Sequence, residues 1–288
     1  MLKFRLSENC HVLKFRGLNF AGMMKQVLLI CLIFFFFSAC NNKDKDSSTI
    51  EENEAQPEVE MKDAIANFPD SLILKENLAQ YYRENGAYEN AIAIVNEALQ
   101  KDSLNARIWG VKATLHYENE DTLNAITSFE TAVKLIPSAA YLIRLGSLYA
   151  QTKNNKALEI AEVLLKDKNA SVEKEAIYIK GLYFTYSGDK NKAILFFDKC
   201  LAMDYTFMFA YSEKAIALYS LGKYEDAVTV LDKAVTLQNN FDLGYYWLGQ
   251  CFEKLNNKDA AIESYKRALL YDPNYIEAKN ALTRLGVP

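Results

Sequence analysis

Residues 215–234 read AIALYSLGKYEDAVTVLDKA, and residues 249–268 read GQCFEKLNNKDAAIESYKRA. Set thirty-four positions apart, the two stretches share one grammar. Each opens on a small residue, Ala215 or Gly249, with a large apolar one three positions on, Leu218 or Phe252. A turn signal follows, Leu221-Gly222-Lys223 or Asn256-Asn257-Lys258. Next come an alanine–aliphatic pair (Ala227-Val228, Ala261-Ile262), a large residue (Leu231, Tyr265) and another alanine (Ala234, Ala268). The i, i+1, i+4, i+7 spacing puts this second set on one face of a helix. Each stretch therefore predicts two helices folded back on each other, with small residues where the helices approach.

The same grammar extends in both directions. First-helix pairs occur at Ala79/Tyr82, Ala113/His116, Gly146/Tyr149 and Gly181/Phe184, ahead of Ala215/Leu218 and Gly249/Phe252. The small residues are 34, 33, 35, 34 and 34 positions apart. Second helices occur at Ala91-Ile92…Val95…Ala98, Ala125-Ile126…Phe129…Ala132 and Ala193-Ile194…Phe197…Cys200; Ala157-Leu158…Ala161…Leu164 is the irregular one. Pro69, Pro137 and Pro273 stand where the second helices must stop.

A 34-residue period of this kind resembles the tetratricopeptide repeat (TPR) family, whose pattern includes tryptophan, leucine-glycine, tyrosine, alanine, phenylalanine and proline. Trp109, Leu145-Gly146 and Leu248-Gly249 fall where that pattern places them. The resemblance implies an all-α fold, a right-handed superhelical α-solenoid of about six helix pairs over residues 72–275. Residues 57–71 read as a partial repeat, a lone helix ending before Pro69. Residues 276–288 read as a capping helix whose Glu277, Lys279 and Arg284 cover the open end of the stack.

The amino-terminal part reads as an address. Val27 to Phe37 is an unbroken apolar run, shorter than the roughly 20 residues of a membrane-spanning helix. Lys25 precedes it, and Ser38, Ala39 and Cys40 follow. Phe37-Ser38-Ala39-Cys40 resembles the lipobox of bacterial lipoproteins, with phenylalanine where that family prefers leucine. The resemblance implies a signal peptide over residues 23–39, cleavage before Cys40 and a diacylglyceryl thioether on its sulfur. Two or three acyl chains then hold the chain to a membrane far better than one. Residues 1–22 read as an upstream extension from a misassigned start. Residues 40–56, rich in Asn, Lys, Asp, Ser and Glu, read as a flexible tether. Asn41, rather than aspartate, follows the cysteine, which in known lipoproteins favours the outer membrane. Lys43-Asp44-Lys45-Asp46 resembles charged signals for surface display; the periplasmic side and the cell surface both stay open.

Charge and cysteine usage exclude several functions. The chain carries a formal net charge of −4, and residues 1–39 hold five Lys or Arg against one Glu, so the rest stands at −8. An acidic chain without a basic patch has no general attraction for nucleic acid. Cys10, Cys31, Cys40, Cys200 and Cys251 show no paired zinc or redox spacing. Cys200 and Cys251 belong to repeats four and six, which are not neighbours, so both read as buried free thiols. His116 at a ring position reads as a packing residue, because one histidine builds no metal site. Gly222-Lys223 lacks the earlier glycine and the following Ser or Thr of a phosphate loop. With no nucleophile elbow, paired metal ligands or acid–base pair in the pattern, the sequence predicts a binding protein that uses no cofactor, not an enzyme.

Binding residues are sought on first helices, at positions that packing does not claim. In repeats one to three these are Asn77, Gln80, Arg83, Arg107, Thr114, Arg144 and Ser147. In repeats four to six they are Tyr178, Leu182, Tyr186, Phe209, Tyr219, Tyr246 and Gln250. One half of the expected groove is polar and the other aromatic, and aromatics suit anchor contacts with a peptide or helix. Removing Tyr178, Tyr219 or Tyr246 is expected to weaken binding and spare the fold. Glu76 and Gln80 stand where chaperone-tail-binding TPR domains carry lysine and asparagine, which argues against that ligand class. The leading expectation is a lipid-anchored envelope scaffold for a protein or peptide partner. The alternative is a peptidoglycan-associated adaptor that recruits a cell-wall enzyme.

Overall fold

The computed structural model describes residues 56–167 and 169–287. Cys40, the segment before it and the tether as far as residue 55 lie outside the described residues. Fourteen α-helices and no strands occur among the described residues. A lone helix, α1 (Gln56–Asn67), comes first. Three pairs follow: α2 (Leu72–Glu84) with α3 (Tyr88–Lys101), α4 (Ala106–Glu118) with α5 (Thr122–Leu135), and α6 (Ala139–Gln151) with α7 (Lys156–Leu164). Three more complete the stack: α8 (Ala170–Ser187) with α9 (Lys190–Met203), α10 (Met208–Ser220) with α11 (Tyr224–Leu237), and α12 (Asp242–Lys254) with α13 (Lys258–Tyr271). The final helix is α14 (Ile276–Arg284).

Helix starts follow local chemistry. Ser71, Asn105, Asp121, Ser138, Asp189 and Asn257 each accept a hydrogen bond from the backbone N–H three residues on, satisfying a donor the helix itself leaves open. The turn inside each pair holds one residue in the left-handed region: Gly86, Glu120, Lys153, Gly188, Gly222 and Asn256. Their spacing repeats that of the small residues. Beyond the left-handed residue the chain bonds back to the helix it has left, as in Ala87 N–H to Tyr82 O at 2.8 Å and Asn257 N–H to Phe252 O at 2.9 Å.

Five of the second helices end alike. The N–H groups of Asp102, Ile136, Asp204, Gln238 and Asp272 donate to the carbonyls of Ala98, Ala132, Cys200, Ala234 and Ala268. The backbone then extends into the next pair. The third pair departs from this. Helix α7 has only nine residues, its C-cap Leu165 stays helical, and α8 runs for 18. The spacing irregularity around repeats three and four is thus taken up by a short second helix and a long first one.

Packing explains the small residues. The second-helix alanines Ala91, Ala125, Ala157, Ala193, Ala227 and Ala261 are all 0% exposed, so a larger side chain there has no open space to enter. On first helices, rings from the second helix lie directly on glycine. A Cβ on Gly181 would stand 2.5 Å from Phe197 Cε1, and one on Gly249 would stand 2.5 Å from Tyr265 Cε1. Each second helix also packs on the first helix of the next pair, and α6 touches α8, α8 touches α10 and α10 touches α12. The core is therefore a row of local clusters along the solenoid, each formed by neighbouring repeats. Helix α14 buries Ala278, Ala281 and Leu282 against the last pair and turns Lys279 and Arg284 outward.

Candidate functional site

The first helices follow one another along the stack, and their inter-helix side-chain contacts are ionic at the amino-terminal end and aromatic toward the carboxyl-terminal end. In the amino-terminal half two ion pairs bridge neighbouring first helices, while Lys75, Lys112 and Arg144 have no acidic partner among the described residues. Arg83 on α2 grips both oxygens of Glu118 on α4. Arg107 on α4 donates to Glu76 on α2 at 2.6 Å. Gln80 donates to Glu84 at 2.7 Å, and the hydroxyls of Thr114 and Ser147 donate to carbonyls of their own helices. Asn77 is exposed and Arg144 half-buried.

The aromatic half is built as two strings of rings. Tyr178 stands edge-on to Phe207 at 5.2 Å and tilted to Phe197 at 5.8 Å, and Phe207 meets Phe209 at 5.9 Å. Further along, Tyr219 lies edge-on to Tyr224 at 5.2 Å and to Trp247 at 5.3 Å. Tyr246 contacts Trp247 at 5.8 Å and Tyr275 at 5.0 Å. Such edge and tilted contacts are the favoured aromatic geometries and hold rings in place.

The seven sequence-derived positions therefore divide. Tyr178, Tyr186 and Phe209 are half-buried and belong to the α8–α10 part of the wall. Tyr219 and Tyr246 are half-buried too, but the Tyr219 ring ties repeat five to Trp247 of repeat six, and the Tyr246 ring packs inside repeat six and on Tyr275 before α14. Gln250 is engaged inside, donating to Tyr265 Oη at 2.9 Å, while Tyr265 donates to Glu253. Leu182 is 4% exposed and sits in the core with Ile179 and Phe197, so it offers no surface to a partner. It follows the small residue of an unusually long first helix, and the close approach of α6 and α10 to α8 covers it.

Sequence reasoning missed Glu213. It lies two residues before Ala215, the phase that Asn77 and Arg144 hold in their own repeats, so the repeat register itself carried the signal. Glu213 is half-buried on α10 and has no hydrogen-bond or ion-pair partner among the described residues. Burial pushes its carboxyl up to about 7, with Lys190 pulling it back. Lys190 is near but engaged elsewhere, donating to Thr185 O at 2.7 Å. Its own ammonium is held below the usual lysine range by burial. On α8, burial raises the Glu175 carboxyl and the Tyr178 and Tyr186 hydroxyls, and the Glu213 charge adds to both tyrosine shifts. Lys174, beside Glu175, is paired with Asp204 at 2.7 Å and lies over the Phe207 ring at 4.3 Å.

Other groups stay structural. His116 Nδ1 lies 3.2 Å from Asp121 Oδ2 at the second pair's turn. Cys200 and Cys251 are buried free thiols, both pushed up to about 12 by burial. Among the described residues no group of three or more His, Cys, Asp or Glu could hold a metal ion, and no helix is long and apolar enough to cross a membrane.

Sequence profiles of the tetratricopeptide repeat match residues 60–106, 106–138, 174–207 and 243–275, and a TPR repeat profile matches 216–256. The chain is built of tetratricopeptide repeats. The irregular TPR, α6 with α7, falls between the matched stretches. A TPR repeat-containing protein of Methanocaldococcus jannaschii is 30% identical over 128 residues, 44% of this chain and 37% of that protein. The match thus spans little more than a third of that relative. A solved TPR protein from Parabacteroides merdae superposes with a TM-score of 0.68 at 20% identity, covering 82% of this chain and 93% of that one. PilW, a type IV pilus biogenesis factor, superposes with a TM-score of 0.57 at 22% identity over 74% of this chain and 99% of its own. These likenesses establish the TPR solenoid. TPR proteins mediate protein–protein interactions and generally serve as non-catalytic scaffolds.

Proposed function

We propose that this chain is a cell-envelope scaffold that binds a protein or peptide partner on the wall of its first helices, with a lipid on Cys40 as its membrane anchor. The observation that carries the binding role is the division of the wall. Its amino-terminal half bridges neighbouring first helices with the ion pairs Arg83–Glu118 and Arg107–Glu76, whereas the α8–α10 half keeps half-buried rings beside a carboxylate without an ionic partner among the described residues. A partner that covers the rings removes apolar surface from water at about 25 cal/mol per Å². The lipobox-like Phe37-Ser38-Ala39-Cys40 supports the anchor, and Asn41 supports the outer membrane as its destination.

Two measurements test this. Labelled palmitate should enter the wild-type chain and not Cys40→Ser, and the variant should leave the membrane fraction; equal fractionation without label overturns the anchor. Full-length chain purified from envelope extracts in mild detergent should carry a protein partner, and Tyr186→Ala should lose it while keeping its helical spectrum. Recovery of cell-wall fragments alone would favour a peptidoglycan-associated adaptor.

A further inference from the structure

The α8–α10 wall has a chemical preference. Several half-buried charges elsewhere on the stack meet a counter-charge: Arg83 with Glu118, Arg107 with Glu76, Lys174 with Asp204, Lys180 with Glu162, Lys214 with Asp198. Glu213 does not. Its helix packs on α8, which contributes Glu175, Tyr178 and Tyr186, while the start of α9 contributes Lys190. Lys190 is the cation whose charge reaches Glu213, and it lies beyond ion-pair distance, with its ammonium hydrogen-bonded to Thr185 O. Glu175, one turn before Tyr178, is a second desolvated carboxylate without a hydrogen bond of its own. Desolvating a carboxylate without a partner is costly, and the cost disappears when a cation is delivered to it.

We infer that this wall selects a partner segment that places a lysine or arginine side chain on Glu213, flanked by apolar residues that cover Tyr178, Tyr186 and Phe209. The rings add to the fit, because the faces of Tyr178 and Tyr186 attract an ammonium or guanidinium that Glu213 neutralises. The charge at this place disfavours the reverse ligand: a carboxylate or phosphate would meet Glu213 and Glu175. This inference rests on the groove reading above and adds the chemistry of the partner.

A randomised peptide library displayed on phage, selected against the full-length chain in detergent at pH 8, tests it. Wild type should enrich peptides with a lysine or arginine between apolar residues. Replacing that one residue by norleucine in a selected synthetic peptide should weaken binding about tenfold, the scale of one charge-assisted hydrogen bond. Glu213→Gln, which keeps the side-chain shape, should bind both peptides equally and melt cooperatively. As a check that needs no variant, wild type at pH 5.5 should lose most of its preference for the lysine peptide as Glu213 takes up a proton. Enriched peptides without a cation preference, or a preference that survives Glu213→Gln, would overturn the inference while leaving the groove as the binding site. Peptides that bind wild type and Tyr186→Ala alike would overturn the groove itself.

Discussion

Replacing Glu213 by glutamine should change how stability depends on pH. In the unfolded chain this carboxyl ionises near 4.5, and in the folded chain burial raises it to about 7. Between those values the folded protein holds a proton that the unfolded chain has released. Stability therefore falls as pH rises through that window, because the unfolded state binds fewer protons there. Each pH unit between the two values corresponds to about 1.4 kcal/mol, which gives an upper limit of roughly 3 kcal/mol. Water that reaches the half-buried site lowers this to about 1–3 kcal/mol. Glutamine does not ionise. Its own desolvation is the same at every pH, so it moves the stability curve up or down without tilting it. The expected result is that Glu213→Gln gains about 1–3 kcal/mol on wild type between pH 4 and pH 8. Urea unfolding followed by circular dichroism at pH 4, 6 and 8 gives the difference directly, provided the denaturant slope is unchanged. Glu175, Asp232 and Asp242 also ionise late because of burial, but they are common to both proteins and cancel. Parallel stability curves for the two proteins would refute the argument, since they would mean that the carboxyl is solvated in the folded state.

Three further outcomes follow from packing and backbone geometry. Gly249→Ala puts a methyl against the Tyr265 ring and should lower stability by about 1–3 kcal/mol, read as a drop in melting midpoint; an unchanged midpoint would mean that the ring gives way freely. Lys153 has φ of 58°, so Lys153→Gly should raise stability by up to about 1 kcal/mol in urea unfolding, whereas Gly222→Ala at the equivalent turn should lower it. Tyr246→Ala should destabilise the chain by about 2–4 kcal/mol, because its ring is wedged against Trp247, Tyr265 and Tyr275; a normal melt with lost partner binding would return Tyr246 to the exposed wall.

Much of the architecture is legible in the linear sequence for a simple reason. In a solenoid each repeat buries its face on its neighbours, so the packing constraint recurs every 34 residues or so and is written into composition. Ala227 and Ala261 are small because their face of the second helix is closed in by the neighbouring helices, and the 0% exposure of both is what their spacing implies. The chemistry of the turns was partly visible. Gly86, Gly188 and Gly222 announce left-handed residues, and Asn256 favours that region as well, but Glu120 and Lys153 take the conformation without any side-chain preference for it. The length of α8 was not visible, since it depends on where α7 stops.

The site is where the sequence alone ran out. Helical phase placed Tyr178, Tyr186, Tyr219 and Tyr246 on first helices, but whether a ring at a given phase faces water or another ring is decided only by the crossing of helices. Tyr219 and Tyr246 both meet Trp247 edge-on, whereas Tyr178 and Tyr186 lie near Glu213. Leu182 shares their phase and is covered. A lone glutamate in a helix reads from sequence as a solvated charge. What makes Glu213 different is the set of neighbours brought to it from α8 and α9, roughly thirty residues away in the chain. The 34-residue period determined the fold by itself because packing between adjacent repeats is local and recurrent. Which acid lost its water, and which rings pack between repeats, was decided by tertiary contacts, because desolvation depends on everything that surrounds a group and not on its place in a pattern.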